Sequence, residues 1–175
     1  MFLRVNESIY FDHLNFNLAK DLADIIEKNR SYLKQWLPWL NHSNSTSDSE
    51  QFIKKCMQDY GDKKSLTLAI FYENTLVGLI SFNEIHLEKN TTKIGYWLVE
   101  SHMGQGIMSA ACKTFIQYGM AELNLKKFII CCAKQNHKSN AIPLRLGFTK
   151  VEEVKDAEWL YDHFVDHNVY ELQSY

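Results

Sequence analysis

The chain reads as a mixed α/β fold, one sheet with helices against its faces. Three observations point there. The spacing of apolar residues switches several times between a helical period and a two-residue period along the 175 residues. Cap and turn residues stand at those switch points. Apolar residues make up 46% of the chain and charged residues 23%, with only two prolines, so a packed core is expected. A chain of this length buries roughly 70% of its unfolded surface and needs no metal or disulfide for stability. One domain over residues 1–175 is expected.

The elements follow in order. Ile9, Tyr10 and Phe11 form a short apolar run that predicts a first strand. Behind Asn17, a plausible cap, Leu18, Leu22, Ile25 and Ile26 keep helical spacing. Pro38 should end or break any helix within Tyr32–Leu40, and Asn41–Ser49 is a polar loop. Ser47-Asp48-Ser49-Glu50 reads as a capping box, opening a helix with the stripe Phe52, Ile53, Cys56, Met57 and Tyr60. Leu66–Tyr72 and Leu76–Ile85 predict a hairpin around Glu73-Asn74-Thr75. Lys93–Val99 is a third strand, followed by a loop over Glu100–Gly104. A long helix runs from Gly106 to Glu122, with Ile107, Ala111, Phe115 and Tyr118 on one face. Lys127–Ala133 is the most apolar strand. A short helix over Ser139–Leu146, closed by Gly147, precedes strands in Phe148–Val154 and His163–Leu172.

A net charge of −2 argues against broad nucleic-acid or membrane-surface binding, which draws on a basic excess. The N-terminal Met1-Phe2-Leu3-Arg4 lacks an apolar signal core, and nowhere do 18 apolar residues run together. Cys56, Cys112, Cys131 and Cys132 form no C-x-x-C pair, and the adjacent Cys131 and Cys132 should point to opposite faces of a strand. Buried thiols in a reducing compartment, the cytoplasm, are the expectation.

The strongest chemical signal is Ile94–Val99 followed by Met103-Gly104-Gln105-Gly106-Ile107-Met108-Ser109. A strand runs into a glycine turn that opens a long helix, so free N–H groups and the positive helix end converge on one spot. Gly104 and Gly106 leave room for a phosphate against the backbone. It is neither a Walker loop nor G-x-G-x-x-G, and alone it is equally well a tight turn.

The wider string Gly95–Ser109 resembles the acetyl-coenzyme A motif of the GCN5-related N-acetyltransferases. Asn136-His137-Lys138-Ser139 with Leu146-Gly147-Phe148 resembles the second motif of that family. The branch resembled most is the one that acetylates the N-terminal serine of a ribosomal protein. Lys28 through Trp39, Gly78–Asn83 and Ala157–Leu160 extend the likeness over most of the chain. The resemblance implies a mostly antiparallel sheet with one parallel strand pair splayed to admit pantetheine, here Lys93–Val99 and Lys127–Ala133. It implies acetyl-coenzyme A as cosubstrate, bound by the main chain of Trp97, Leu98 and Val99, the turn His102, Met103, Gly104, Gln105, Gly106 and Ile107, and the amide of Asn136. A backbone N–H at the Leu98–Val99 end would hold the thioester carbonyl. Ser101 and Met103 stand where the family often has polar side chains, which matters little if backbone amides carry the phosphates. A homodimer is possible within the family.

Attack of an amine on a thioester needs a neutral amine and a proton for the departing thiolate. An α-amine with pKa near 7.7–8 is already roughly a tenth to a sixth neutral at pH 7, whereas a lysine gives up roughly 4.6 kcal/mol. A weak base therefore suffices. The resemblance picks out Glu158 for that role, with aromatic neighbours whose packing would raise its proton affinity; the alternative is a solvated loop carboxylate. It picks out Ser139 as the acid, a residue that would equally cap the following helix. Many relatives use a tyrosine further on, but there is none from Cys131 to Lys155. The Trp97 and Cys131 side chains read as core. His163 and His167 lie ~13 Å apart along a strand, too far to share a metal ion. The Tyr32–Trp39 cluster either lines the acceptor groove or packs under the helices. Rival functions are acetylation of a small amine such as a polyamine or aminoglycoside, and a coenzyme-binding module without activity.

Overall fold

The computed structural model describes residues 1–173; residues 174 and 175 of the expected domain lie outside the described residues. The strands are β1 (Leu3–Arg4), β2 (Ile9–His13), β3 (Leu66–Tyr72), β4 (Thr75–His86), β5 (Thr91–Leu98), β6 (Lys127–Ala133), β7 (Thr149–Leu160) and β8 (His163–Gln173). They form one sheet in the order β1-β2-β3-β4-β5-β6-β8-β7. Every neighbouring pair is antiparallel except β5 and β6. The helices are α1 (Ala19–Lys28), α2 (Arg30–Leu33), α3 (Thr46–Gly61), α4 (Ile107–Leu123) and α5 (His137–Arg145). The expected mixed α/β fold is thus present.

Strand alternation divides the core in two. Ile80, Phe82, Ile94, Phe128 and Ile130 face α4, where Phe115 stacks on Phe82 with ring centroids 3.8 Å apart. Ala69, Leu76 and Leu79 face the other way, onto Leu22 and Ile26 of α1, Leu33 of α2 and Ile53 of α3. The β3–β4 hairpin turns on Glu73 and Asn74, whose φ angles of 47° and 64° are the left-handed pair that a two-residue turn demands.

Local punctuation differs from the sequence reading. Asn15, rather than Asn17, caps the entry to α1, accepting from Asn17 N–H at 3.0 Å at the start of a short 3-10 turn. The capping box lies two residues earlier: Ser45 Oγ accepts from Asp48 N–H, and the Asp48 carboxylate accepts from Asn44 N–H. On α3 only Ser49 and Ile53 are buried, while Phe52, Met57 and Tyr60 stay exposed. The helix meets the sheet along one narrow stripe, and its apolar residues outnumber those positions. No α-helix runs through Pro38: α2 stops at Leu33, and Pro38 opens a 3-10 turn, Pro38–His42. The two-residue β1 escaped notice because it is too short to show a period.

β5 and β6 pair only through Thr91↔Lys127, Thr92↔Phe128 and Lys93↔Ile129. Beyond Lys93 the strands part, as the splayed pair requires. β4 holds β5 closely on the other side: a Cβ added at Gly78 would sit 2.2 Å from the Trp97 carbonyl oxygen. Gly78→Ala is therefore expected to cost about 3 kcal/mol of stability, read from the denaturation midpoint. A midpoint equal to that of the wild type would contradict this packing.

Candidate active site

The gap between β5 and β6 exposes a defined set of peptide groups. Val99 N–H donates to the Val77 carbonyl at 2.8 Å, and Leu98 stands opposite Gly78. Antiparallel ladders alternate, so Gly95, Trp97 and Val99 spend their peptide groups on β4, while Tyr96 and Leu98 turn theirs toward β6. On β6, Lys134 N–H donates to the Asp166 carbonyl, so Ile130 and Cys132 face β8, and Cys131 and Ala133 face the gap. The Ala133 carbonyl is already taken by Asn136 N–H and Asn140 Nδ2, both at 2.9 Å. Tyr96, Leu98 and Cys131 thus offer the open peptide groups. Of the three main-chain segments expected to meet the coenzyme, Leu98 faces the gap, while the peptide groups of Trp97 and Val99 pair within the sheet.

At the C-terminal end of β5 the chain enters the glycine turn. Gly104 and Gly106 have φ of 74° and 77°, a left-handed backbone, and no heavy atom lies within 4 Å of a Cβ built on either. Gly106 stands at the N-cap of α4 with no side-chain cap, so the first N–H groups of that helix point outward unpaired by the helix itself. The amides of His102 and Met103 are turned inward onto the Val99 and Glu100 carbonyls. They shape the turn, and the cradle narrows to Gly104–Ser109. Gln105 reaches back to the Ser101 carbonyl at 3.2 Å, and Ile107 is buried. Arg145 Nη1 donates to Ser109 Oγ at 2.6 Å, and Lys138 lines the same cleft. Both cations escaped the sequence reading. Their position inside the second motif, one helix from the turn, was the available signal.

α5 begins at the mouth of the gap. Asn136, rather than Ser139, is its cap: Asn136 Oδ1 accepts from Ser139 N–H at 3.1 Å. Ser139 Oγ is left facing Cys132 Sγ at 3.2 Å and the Tyr96 hydroxyl at 3.4 Å. Pro143 lacks the N–H that would bond the Ser139 carbonyl, and the Tyr96 hydroxyl donates to that carbonyl at 3.2 Å instead. Burial pushes the Tyr96 phenol well above its usual range and the Cys132 thiol up to about 11. Both remain protonated near neutral pH. The tyrosine sought downstream of Cys131 is absent there, and Tyr96 of β5 reaches the place beside Ser139.

A cleft of about 1220 Å³ runs from this point through the sheet to the opposite face. Its far wall is aromatic. Tyr32, Trp36 and Trp39 line it, with Trp39 and Trp97 ring centroids 6.4 Å apart, while Leu33 and Leu40 of the same segment pack inward. Trp97 is half-buried, packed against the core while also lining the cleft, and Cys131 is exposed at its edge. The Arg30 guanidinium donates to the Leu40 and Ser43 carbonyls, and the Tyr161 hydroxyl donates to the Leu37 carbonyl, which ties the aromatic wall to the β7–β8 hairpin. Glu158 lines this side with its carboxylate 3.5 Å from His167 Nε2. The expected aromatic burial of Glu158 is not found: Trp159 turns away onto Phe164 and is 51% exposed. Successive strand residues point to opposite faces. Among the described residues no His, Cys, Asp and Glu side chains gather as a metal-binding group.

Comparison with known proteins agrees with this geometry. Residues 15–149 match the family model described as an acetyltransferase (GNAT) domain. The ribosomal-protein-serine acetyltransferase of Escherichia coli (strain K12) is 36% identical over 96% of this chain and 94% of its own. The crystal structure of the microcin C7 self immunity acetyltransferase MccE, in complex with acetyl-CoA and AMP, superposes with a TM-score of 0.93 at 35% identity, covering 97% of this chain and 94% of that one. RimL, the ribosomal L7/L12 alpha-N-protein acetyltransferase, in complex with coenzyme A, gives a TM-score of 0.95 at 27% identity over 98% and 97% of the two chains. With the parted strands, the glycine turn and these matches together, the chain belongs to the GCN5-related N-acetyltransferase family and is an N-acetyltransferase.

Proposed function

We propose that the protein moves the acetyl group of acetyl-coenzyme A onto the N-terminal α-amine of a ribosomal protein, with an N-terminal serine as the leading acceptor. The observation that carries this reading is the parting of β5 and β6 beyond Lys93, which leaves the peptide groups of Tyr96, Leu98 and Cys131 without strand partners inside a cleft that crosses the sheet. Relatives named for acetylation of ribosomal-protein serine and alanine support the acceptor class.

The coenzyme supplies an acyl group activated as a thioester. The unpaired amides of Gly104–Ser109 would receive its pyrophosphate, with Arg145 and Lys138 adding positive charge. The open peptide groups of Tyr96, Leu98 and Cys131 would hold the pantetheine arm as a strand is added to a sheet edge. Leu98 N–H would stabilise the negative charge that grows on the carbonyl oxygen. Asn136 keeps its Nδ2 group for the coenzyme while its oxygen caps α5. Ser139, backed by the protonated Tyr96 hydroxyl, gives a proton to the departing sulfur. Glu158 supplies the negative charge that draws the proton of the amine on the opposite side. One catalytic unit acting in the cytoplasm on a protein partner, rather than on nucleic acid or lipid, accords with a net charge of −2. No helix among the described residues is long and apolar enough to cross a membrane.

A thiol-release assay tests the reading. Peptides beginning with serine should be turned over in preference to spermidine and kanamycin. An aminoacyl nucleotide joins the panel because the MccE structure holds AMP and the cleft wall here is aromatic. Preference for spermidine or the nucleotide would replace the proposed acceptor. Gly106→Ala has space for its methyl group but must hold φ near 77°, at about 1–2 kcal/mol, and it crowds the cradle. Calorimetry should show acetyl-coenzyme A binding weakened about tenfold or more. Glu158→Ala should lower turnover about 100-fold while leaving coenzyme affinity near the wild-type value. Ser139→Ala should do likewise to a smaller extent.

A further inference from the structure

Glu158 is paired with His167, a residue that strand spacing excludes from a shared metal site with His163. His167 of β8 brings Nε2 to 3.5 Å from Glu158 Oε2, with side chains 17% and 35% exposed, and both residues line the cleft. The register explains the meeting. Val154 stands opposite His167, yet Glu158, four residues on, stands opposite Val165 only two residues back along β8. The bulge between Val154 and Glu158 absorbs the difference, with Asp156 at φ 49° and its N–H held by Asp166 Oδ1 at 3.0 Å. Without the extra residues Glu158 would face His163; with them it lies diagonal to His167. On its other side His167 stands opposite Ala133, the last residue of β6, at the open end of the gap.

We infer that His167 is a catalytic residue of the acceptor side: its neutral imidazole takes a proton from the incoming ammonium, and Glu158 stabilises the imidazolium that forms. The inference rests on the acetyl-transfer reading. The acceptor enters as an ammonium with three protons and leaves as an amide with one. Its nitrogen lone pair makes the C–N bond, and the C–S pair leaves on sulfur. One proton goes to that sulfur through Ser139, and the other passes through His167 to water. An imidazole accepts and releases a proton in the neutral range more readily than a carboxylate does, which suits it to exchange with an amine. Cys131, at the edge of the same cleft, has Glu152 and Glu158 of β7, Lys93 of β5 and Glu84 of β4 as its charged neighbours. Tyr32 and Glu100 approach from the far wall.

Two variants and two readouts test it. For His167→Gln, kcat/KM toward a serine peptide should fall about 100-fold at neutral pH and recover as pH rises through the ionisation of the amine itself. KM for acetyl-coenzyme A should not change. In the free protein, the NMR signals of the His167 ring should change in Glu158→Gln, since the side chain that meets Nε2 is altered. This readout needs no substrate and stands even if His167→Gln folds poorly. A wild-type pH profile in His167→Gln, or His167 ring signals unmoved in Glu158→Gln, overturns the inference. Wild-type protein that releases no thiol with any amine would remove the acetyl-transfer reading and this inference with it.

Discussion

Two neighbouring parallel strands in the middle of a sheet would ordinarily zip together, and here each is held from its outer side instead. β5 is bound to β4 through Trp97 and Val99, and β6 to β8 through Cys132 and Lys134. Asn140 then wedges the open end. Its Nδ2 donates to the Ala133 and Asn136 carbonyls at 2.9 and 2.7 Å, and its Oδ1 accepts from Asn168 Nδ2 and the Tyr170 hydroxyl, each at 2.8 Å. A buried amide with every donor and acceptor engaged fixes the geometry around it. The open peptide groups left between the strands carry a penalty of about 1–3 kcal/mol each if desolvated without a partner. A ligand with amides of its own relieves that penalty, which links the parting of the strands to recognition of the coenzyme arm.

The parted strands also separate two chemistries. Proton donors gather on the α4–α5 face, where Ser139, Tyr96 and Cys132 meet. The Glu158 carboxylate and the His167 imidazole lie on the other face, beside the aromatic wall. A thiol held near 11 by burial is not a nucleophile at neutral pH. Direct transfer between the two faces therefore fits this site better than an acyl-cysteine intermediate on Cys132.

Much of this was legible beforehand. Lys127–Ala133 and Leu66–Tyr72 have the same bounds in the sequence reading and the structure, because a run of apolar residues between turn signals is a local property. The glycine turn was legible for the same reason: Gly104 and Gly106 take left-handed angles that few other residues accept. Caps were displaced by two or three residues, as at Asn15, Ser45 and Asn136, since several adjacent Ser, Asn and Asp side chains compete for the same N–H groups. The stripe on α3 was overestimated because periodicity shows which residues share a face without showing how much of it the sheet covers.

The sequence by itself determined the order of elements, the phosphate-sized turn and the family resemblance, all written in residues close together along the chain. Only the tertiary structure decided which functional groups meet. Tyr96 reaches Ser139 across 43 residues because β5 and α5 flank one gap, and Pro143 leaves a carbonyl there to be satisfied. Glu158 reaches His167 because a bulge shifts one strand against its neighbour. Strand register and the side on which a peptide group points are settled by pairing between distant segments, and no local pattern of residues encodes them.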